Sequence, residues 1–370
     1  MRILFWSDMF WPYIGGGEIF GTRLLTSLKE RHEFIVITRQ DSPDVPARGF
    51  YGGIPVHRFP FCTAMASKDL GQMMALRKEI KNLKRTFAPD IIHVHNFGPS
   101  ILFYLETVEP YRKPMLFTVQ LEISLYKNAG SDTLLERTLR AADWVNCVST
   151  ETLAQVRHRV AETIPYSSVI FNSVDIPSLT PQPLPTGAPR LLCLGRLYRQ
   201  KGFDVAIAAF AKIIGEFPDA RLMIAGDGPE RANLERQVAA QQLGGVVEFL
   251  GWIPPDRVLS LINSVTLVVM PSRYEGLPLV GVEAALMARP IVASQVSGLS
   301  ELVLHEKTGL LTEPEDMVGL ADAMTFLFTH PEQAAQMGRA GRSRVQERFS
   351  WQQCVASYEA LYHQLATPLP

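Results

Sequence analysis

Short runs of apolar residues alternate with amphipathic segments along almost the whole chain. In the first half, the runs predicted as strands are Arg2–Ser7, Glu33–Thr38, Ile91–His95, Met115–Gln120, Trp144–Ser149 and Ser168–Val174. The segments between them with apolar residues at helical spacing are Glu18–Glu30, Leu70–Phe87, Asp132–Ala141 and Glu151–Ala161. Continuous apolar strands that alternate with helices predict a parallel sheet covered by helices on both faces.

A proline-rich segment interrupts this alternation. It contains five prolines between Pro177 and Pro189, which cannot continue a helix or a strand, so a linker is predicted over 178–189. Strands are then predicted again at Arg190–Leu194, Ala220–Ala225, Val246–Leu250, Val265–Pro271 and Pro290–Ser294. The helices predicted between them are Val205–Glu216, Glu230–Gln241, Asp256–Ile262 and Leu279–Ala288.

The pattern predicts an α/β protein with two doubly wound, Rossmann-like domains. We expect the first domain at 1–177, the linker at 178–189 and the second domain at 190–348. The remaining segment, 349–370, contains a helical pattern at Trp351–Leu365 that follows no strand, and we expect it to pack back onto the first domain. Ligands of such sheets bind beyond the carboxyl ends of the strands, so the functional residues are expected in the loops there.

Composition and charge exclude several classes of protein. Lys and Arg total 36 against 37 Asp and Glu, a formal charge of −1, which disfavours a nucleic-acid-binding protein. The four cysteines are far apart and none has zinc-ligand spacing, so no metal site is expected. No apolar stretch is long enough to span a bilayer, and Met1–Asp8 does not resemble a signal peptide, so a cytoplasmic location is expected.

The first glycine-rich loop lies between the first predicted strand and helix. Gly15, Gly16 and Gly17 allow close approach of the backbone to a ligand, and a helix N-terminus offers free N–H groups to an anion. Phe20 stands where a dinucleotide-binding motif needs its third glycine, so that motif is not matched. A flexible turn without a ligand is the alternative interpretation.

The loop after strand 190–194 carries two cations. Gly195 is followed by Arg196 and, five residues later, by Lys201. A guanidinium and an ammonium at a strand end can bind a diphosphate without a metal ion. The alternative is a pair of surface cations beside a turn. Farther along, the Gly-Asp-Gly turn at 226–228 is predicted to be structural.

The segment 271–283 is the strongest signal. Glu275 lies in a strand-to-helix turn, and Glu283 lies eight residues later among apolar residues, where an unpartnered carboxylate is unfavourable. Hydrogen bonds from a ribose diol to Glu283, and from a sugar to Glu275, would account for both. N–H groups of 276–279 could meet a phosphate or sugar oxygen. A buried glutamate paired with an arginine is the alternative.

Together these motifs resemble the family 4 glycosyltransferases, retaining enzymes with the GT-B fold of two facing Rossmann-like domains. Gly195–Gly202, Ala225–Pro229 and the Glu275-x7-Glu283 pair occur in that family's order and spacing. The segments Asp90–His95 and Asn172–Asp175 resemble others of its motifs. The resemblance covers nearly the whole chain.

The resemblance implies an N-terminal domain that binds an acceptor and a C-terminal domain that binds a nucleotide-diphosphate sugar. The expected donor is a UDP- or GDP-sugar. That sugar is a co-substrate, and no cofactor or metal is implied. The residues to which the resemblance assigns a catalytic role are Arg196, Lys201, Glu275 and Gln120. The residues expected to bind the donor are Gly16, Gly17, Gly195, Gly276, Leu277, Leu279, Glu283 and Trp252.

One position departs from the family pattern. Gln120 stands at the end of the strand where family members often have a histidine, so either its amide takes over that hydrogen bond or the acceptor arrangement differs. His95, Asn96 and Glu122 are predicted on the acceptor side, whereas His93 is as well explained by a structural role.

Four further hypotheses stay open at this point. The basic helix Arg77–Arg85 could rest weakly on anionic lipid, although a solvated helix face explains it better. The expected activity is transfer to a sugar or lipid-linked acceptor in polysaccharide or glycoconjugate biosynthesis. The alternatives are a GT-B-fold nucleotide-sugar epimerase and a protein that binds the donor without turnover.

Overall fold

The structure is a computed structural model that describes residues 1–13, 15–40, 42–108, 112–120 and 132–367. Its contacts divide the chain into two compact units. The first comprises Met1–Phe171 and the residues from Gln352 onward, and the second comprises Asn172–Trp351. Each unit contains a largely parallel sheet with helices, so the predicted α/β class with two parallel-sheet domains is confirmed.

The strands of the first unit form a sheet in the order β3-β4-β2-β1-β5-β6-β7-β8. Their bounds are β1 Arg2–Ser7, β2 Glu33–Arg39, β3 Arg48–Tyr51, β4 Ile54–Phe59, β5 Ile91–His95, β6 Met115–Val119, β7 Trp144–Cys147 and β8 Ser167–Val169. The helices in sequence among them are α1 Gly16–Leu28, α2 Phe61–Ser67, α3 Leu70–Phe87, α4 Ile101–Leu105, α5 Leu134–Ala141 and α6 Thr150–Arg159. Only β3 pairs in the antiparallel sense among the strands described.

The second unit has a parallel sheet in the order β11-β10-β9-β12-β13-β14. Its strands are β9 Arg190–Leu194, β10 Arg221–Ala225, β11 Val247–Gly251, β12 Leu267–Met270, β13 Ile291–Ser294 and β14 Gly309–Thr312. The α-helices that follow them in the chain are α7 Phe203–Ile213, α8 Arg231–Ala240, α9 Pro255–Asn263, α10 Leu279–Leu286, α11 Ser297–Leu302, α12 Met317–Thr329, α13 Pro331–Arg348 and α14 Trp351–Ala366.

The hairpin β3–β4 is absent from the sequence prediction. Its strands pair antiparallel, with Tyr51 opposite Ile54, across a two-residue turn. Gly52 and Gly53 have φ of 54° and 88°, the positive values that such a tight hairpin turn requires. β3 contains no continuous apolar run, because its residues alternate between exposed and half-buried at the sheet edge.

The proline-rich segment, predicted as a linker over 178–189, packs as part of the second unit, which begins at Asn172. The backbone N–H of Gln182 donates to Oδ1 of Asn263 over 2.9 Å, and Nδ2 of Asn263 donates to the carbonyl of Thr180 over 3.0 Å. The side chain of Leu184 packs against the apolar core. Prolines prevent helix and strand formation, but they leave carbonyls and side chains free to pack.

Helix α14 belongs to the first unit from Gln352 onward. Two tyrosines on this helix, Tyr358 and Tyr362, are fully buried. The hydroxyl of Tyr362 lies 2.6 Å from Nδ1 of His93, and that of Tyr358 accepts from Nδ2 of Asn146 over 2.9 Å. These buried hydrogen bonds connect the C-terminal helix to the centre of the first sheet.

The basic helix α3 turns its apolar side into the protein. Leu76, Ile80 and Phe87 are part of the first unit's core. Lys84, one of its basic residues, is also buried; its Nζ donates to Oγ1 of Thr107 over 2.9 Å, and burial lowers the pKa of its ammonium to about 7. Among the described residues, none of the helices is both long and apolar enough to cross a bilayer.

Candidate functional site

Three loops of the second unit meet at one edge of its sheet. β10, β9 and β12 are neighbours and run parallel, so the segments that follow them begin side by side. These segments start at Gly226, Gly195 and Pro271, and they contain the motifs singled out in the sequence. The position fits the rule that ligands bind beyond the carboxyl ends of parallel strands.

Lys201 and Glu275 form an ion pair at this edge. Nζ of Lys201 lies 2.5 Å from Oε1 of Glu275, and the Ser272 hydroxyl donates to the same oxygen over 2.8 Å. The Glu275 side chain is 5% exposed and that of Lys201 is 19% exposed. A buried carboxylate thus fixes an ammonium that still reaches solvent, which is the arrangement expected of a cation that meets an anionic ligand.

Close backbone packing positions this ion pair. A Cβ atom on Gly202, where φ is +64°, would lie 1.9 Å from the carbonyl oxygen of Pro271. A Cβ atom on Gly226 would lie 1.9 Å from the carbonyl oxygen of Gly195. Both glycines are therefore required by the fold, because a side chain at either position would separate two of the three loops.

Arg196 is placed differently from Lys201. Its side chain is exposed, and its guanidinium carbon lies 5.3 Å from the centre of the Tyr198 ring, in a cation–π contact. Such an exposed contact contributes only about 0.5–1 kcal/mol. The guanidinium is therefore not committed to a buried partner, and a phosphate could draw it away from the ring at small cost.

Arg273 holds the third loop in place, a role that the sequence reasoning missed. Its guanidinium donates to Oδ1 of Asp204 over 2.9 Å and to Oδ2 over 2.7 Å, and it also binds the carboxylate of Glu315. The hydrogen bonds with Asp204, then those with Glu315, raise the pKa of the Arg273 guanidinium above its ordinary value. This arginine fixes the residues immediately before Glu275.

The other predicted donor residues follow β12 and β11. Leu277 and Leu279 are buried, so only their backbone groups are available to a ligand; the Leu277 carbonyl accepts from Nδ2 of Asn172 over 3.2 Å. Gly276 is also buried, and its carbonyl oxygen would lie 1.6 Å from a Cβ atom on Gly298. Helix α10 begins at Leu279, where its first N–H groups have no partner within the helix.

Glu283 and Trp252 complete the predicted donor set. Glu283 lies in the middle of α10 and is half-buried, whereas its neighbours Val282 and Ala284 are buried. Trp252 follows the edge strand β11, and its side chain is 54% exposed. An exposed indole at this end of the sheet offers an aromatic face to a planar ligand.

In the first unit, the glycine-rich loop leads into α1. A Cβ atom on Gly16 would meet no described atom within 4 Å, and one on Gly17 would come only to 3.6 Å from Nδ2 of Asn96. Neither glycine has a positive φ. The described residues of this unit therefore do not require glycine at 16 or 17, and they leave space beside the backbone there.

Three of the predicted residues meet beside Gly17. Nε2 of His95 lies 3.1 Å from the Gly17 carbonyl oxygen and 3.4 Å from Nε2 of Gln120. Since a carbonyl only accepts, we assign the proton of His95 to Nε2. An N–H at this position cannot accept from the Gln120 amide nitrogen, so we orient the amide with its oxygen, in place of its nitrogen, toward His95. Burial, opposed by the hydrogen bond with Gly17, lowers the pKa of His95 to about 4, so the imidazole is neutral at physiological pH.

His95, predicted on the acceptor side, is buried within the first unit. It is 1% exposed, because the ring stacks between Phe5 and Phe20, so it can act on a ligand only through Gly17 and Gln120. Asn96 follows it with a φ of +74° and is half-buried. Glu122, also predicted on the acceptor side, lies outside the described residues.

His93 is a structural residue. It is fully buried, and Nε2 lies 2.9 Å from Oγ1 of Thr118, while Nδ1 faces the Tyr362 hydroxyl. Burial, with His95 as a smaller cause, lowers the pKa of His93 well below its ordinary value. Its contacts are all within the first unit's core.

Both units match models of known protein families. The model described as Glycosyltransferase Family 4 matches 14–178, and the model described as Glycosyl transferases group 1 matches 179–344. The mycobacterial protein named glycogen synthase, from Mycobacterium tuberculosis, is 28% identical over 98% of this chain and 94% of its own length.

Two solved structures share the fold over the whole chain. Sucrose-phosphate synthase from Thermosynechococcus elongatus is 25% identical, with a TM-score of 0.84 and 98% of each chain covered. HepE of Anabaena, solved in complex with UDP-glucose, is 20% identical, with a TM-score of 0.82, over 99% of this chain and 100% of its own.

Proposed function

Because the chain belongs to the group 1 glycosyltransferases, we propose that it is a retaining enzyme that takes a sugar from a UDP- or GDP-sugar. The acceptor in this proposal is a sugar or a lipid-linked sugar, as in polysaccharide and glycoconjugate assembly. The similarity to a protein named glycogen synthase and to a HepE structure that holds UDP-glucose supports a nucleotide-sugar donor.

The observation that carries the proposal is the Lys201–Glu275 pair beside Ser272. Cleavage of the anomeric C–O bond leaves a nucleoside diphosphate on which negative charge grows. A fixed ammonium stabilises that charge where it develops, without reorganisation during the reaction. Arg196, held only by an exposed contact with Tyr198, swings onto the same diphosphate and binds two of its oxygens.

The remaining residues of the second unit bind the rest of the donor. Glu283, half-buried on α10, accepts hydrogen bonds from the ribose hydroxyls. Glu275 uses its second carboxylate oxygen for hydroxyls of the transferred sugar. The N–H groups at the start of α10 receive a phosphate or sugar oxygen, and the exposed face of Trp252 packs on the base. Two cations meet the diphosphate in this scheme, so it needs no metal ion.

In the first unit, we assign Gly16 and Gly17 to close contact with the donor, because the packing of the described residues does not require glycine at these positions. With the amide oriented so that its oxygen accepts from His95, Gln120 donates from its amide nitrogen to a substrate hydroxyl. His95 is a positioning residue that fixes this amide. Asn96, at the same strand end, contributes to the acceptor side. We do not extend the proposal to a membrane contact through α3, because Leu76, Ile80 and Phe87 of this helix are in the core.

A panel of donors tests this function directly. UDP-, GDP- and ADP-sugars are added to the wild type, to Glu283→Gln and to Asp322→Asn, an exposed carboxylate of α12 that serves as the matched control. One donor is expected to raise the melting temperature of the wild type and of Asp322→Asn, but not of Glu283→Gln. At 100 times its Kd, a ligand stabilises the folded state by about 2.7 kcal/mol.

The donor that binds is then incubated with the enzyme alone and with candidate acceptors. Release of nucleoside diphosphate and a glycosylated product with the donor's anomeric configuration are the expected results. Binding without release of diphosphate would favour the non-catalytic alternative, and a free epimerised sugar would favour an epimerase. If none of the donors binds, the assignment of the second unit is wrong.

A further inference from the structure

Three potential metal ligands meet on the first unit, outside the residues assigned above. His32 lies in the connection between α1 and β2, and Glu359 and His363 lie on α14. The ligand atoms of the three residues are all within 4.8 Å of one another. Among the described residues, this is the one group of three such side chains with that geometry.

The arrangement on α14 suits a single ion. Glu359 and His363 are four residues apart, so their side chains lie on the same face of the helix. Two imidazoles and one carboxylate form a ligand set that Zn²⁺ accepts, with a water molecule in the fourth position. Bonds of about 2.0–2.1 Å in a tetrahedron place neighbouring ligand atoms roughly 3.4 Å apart.

Two of the three ligands are already held near that spacing. Nε2 of His32 lies 3.0 Å from Oε1 of Glu359, and the buried His32 ring has edge contacts with Phe34 and Tyr362. Arg31 binds the other carboxylate oxygen of Glu359 over 2.5 Å, which turns Oε1 toward His32. Hydrogen bonds of this kind orient metal ligands in characterised sites. His363 is exposed, so its side chain is free to close the remaining distance.

We propose that His32, Glu359 and His363 bind a divalent transition metal ion, with Zn²⁺ as the best fit, and that the ion fastens α14 to the connection between α1 and β2 of the same unit. The site is separate from the proposed transfer reaction and does not depend on it. Without an ion, Glu359 pairs with Arg31 and His32 as the structure describes. With an ion, His363 adds a third connection.

Metal binding is measured on the full chain after chelation and dialysis. Zn²⁺ is titrated by calorimetry and by thermal shift into the wild type, His363→Ala and His158→Ala, and Co²⁺ is followed by its visible absorption. His158 is an exposed histidine of α6 that makes no contact with the cluster and is the matched control. Since His363 is exposed, its replacement by alanine should leave the fold intact, which the melting temperature without metal checks.

One Zn²⁺ per chain is expected for the wild type and for His158→Ala, with a raised melting temperature and a Co²⁺ spectrum of tetrahedral type. Removal of one of three ligands should weaken Zn²⁺ binding by tenfold or more, since loss of even an outer hydrogen bond costs about 10- to 100-fold. Equal Zn²⁺ binding by wild type and His363→Ala overturns the proposal. So does the absence of binding to wild type, or an equal effect of Mg²⁺, which prefers oxygen ligands.

Discussion

The two units place different chemistry at the carboxyl ends of their strands. In the second unit, the polar centre is an ion pair, Lys201 with Glu275, supported by Ser272. In the first unit, the polar centre is neutral: the uncharged imidazole of His95 lies between the Gly17 carbonyl and the Gln120 amide. A charged centre suits a diphosphate, whereas a neutral one suits sugar hydroxyls, so electrostatics supports the division of roles that we propose.

Glycines differ between the units in the same way. Gly202 and Gly226 in the second unit are required because a Cβ atom would overlap a neighbouring carbonyl. Gly16 and Gly17 in the first unit meet no such obstacle. Gly202 and Gly226 are therefore structural residues, whereas for Gly16 and Gly17 we propose the approach of a ligand as the explanation.

The largest effect is expected from the charged centre. Lys201→Ala removes the ammonium that faces the leaving diphosphate, and we expect kcat for transfer or donor hydrolysis to fall by about 10²- to 10³-fold, the usual loss when one charge-stabilising donor is removed. Steady-state kinetics with the donor identified above measure this. Lys212→Ala, an exposed lysine of the following helix, is the matched control and should keep its activity.

Because Lys201→Ala leaves Glu275 buried without its cation, the melting temperature of the variant is measured in parallel. A loss of activity in a folded variant supports the assignment. If folded Lys201→Ala retains wild-type kcat, then the ion pair is a structural feature of the loops and the comparison between the units no longer reflects chemistry.

The glycine comparison predicts the next largest effect, and here stability is measured. Gly202→Ala should destabilise the second unit by about 3 to 4 kcal/mol, since left-handed strain and overpacking each cost roughly 1–3 kcal/mol. Gly16→Ala should change stability by less than about 0.5 kcal/mol, as expected where no atom is displaced, but should lower activity. Urea unfolding and kinetics on both variants separate the two roles.

The contrary result is equally clear. If Gly16→Ala is both stable and fully active, a ligand does not approach this glycine closely, and the first loop is a turn without a binding role. A wild-type stability for Gly202→Ala would mean that the loops at 202 and 271 separate without cost.

Much of this division was predictable from sequence, because it rests on local patterns. The order of strands and helices follows from hydrophobic runs such as β1 and β5, and the loops that hold Lys201 and Glu275 were placed correctly after their strands. The bond between these two residues spans 74 positions, and sequence spacing does not reveal it. The ion pairs of Arg273 with Asp204 and Glu315 were missed for the same reason.

Burial was the least predictable property. His95 ends a strand, a position typical of surface residues at a ligand site, yet the rings of Phe5 and Phe20 cover it. The cluster of His32 with Glu359 joins residues 327 positions apart and depends on where α14 packs. Local periodicity predicts α14 as a helix but contains no information on which residues face His32.

The neutral centre predicts a pH dependence confined to the first unit. Burial depresses the pKa of His95 from 6.5 to about 4, so the unfolded chain binds more protons between these values. The free energy of unfolding is therefore up to about 3 kcal/mol larger above about pH 6.5 than near pH 4, and it decreases as the pH falls through this range. Hydrogen exchange of β5 amides over that range measures it, with β9 amides as the internal reference.

His95→Gln keeps an amide donor for the Gly17 carbonyl and removes the titrating ring. Its β5 amides should lose the part of the pH dependence that His95 supplies, while the part from the buried His93 remains. An unchanged pH profile in His95→Gln would show that the ring is not held neutral by burial, and the neutral character of this centre would need another explanation.

The smallest effect is expected at Gln120, where the interaction with substrate is a hydrogen bond between neutral groups. Such a bond contributes about 1 kcal/mol, so Gln120→Ala should lower kcat by about five- to tenfold, far less than Lys201→Ala. Gln120→His should restore most of that loss, because an imidazole N–H can donate where the amide does, and Gln120→Glu should not, because a carboxylate cannot donate. Steady-state kinetics on the three variants give the comparison. A loss in Gln120→Ala as large as that in Lys201→Ala would mean that charge also develops beside the first unit's strand ends, and the separation into a charged donor centre and a neutral one would then be wrong.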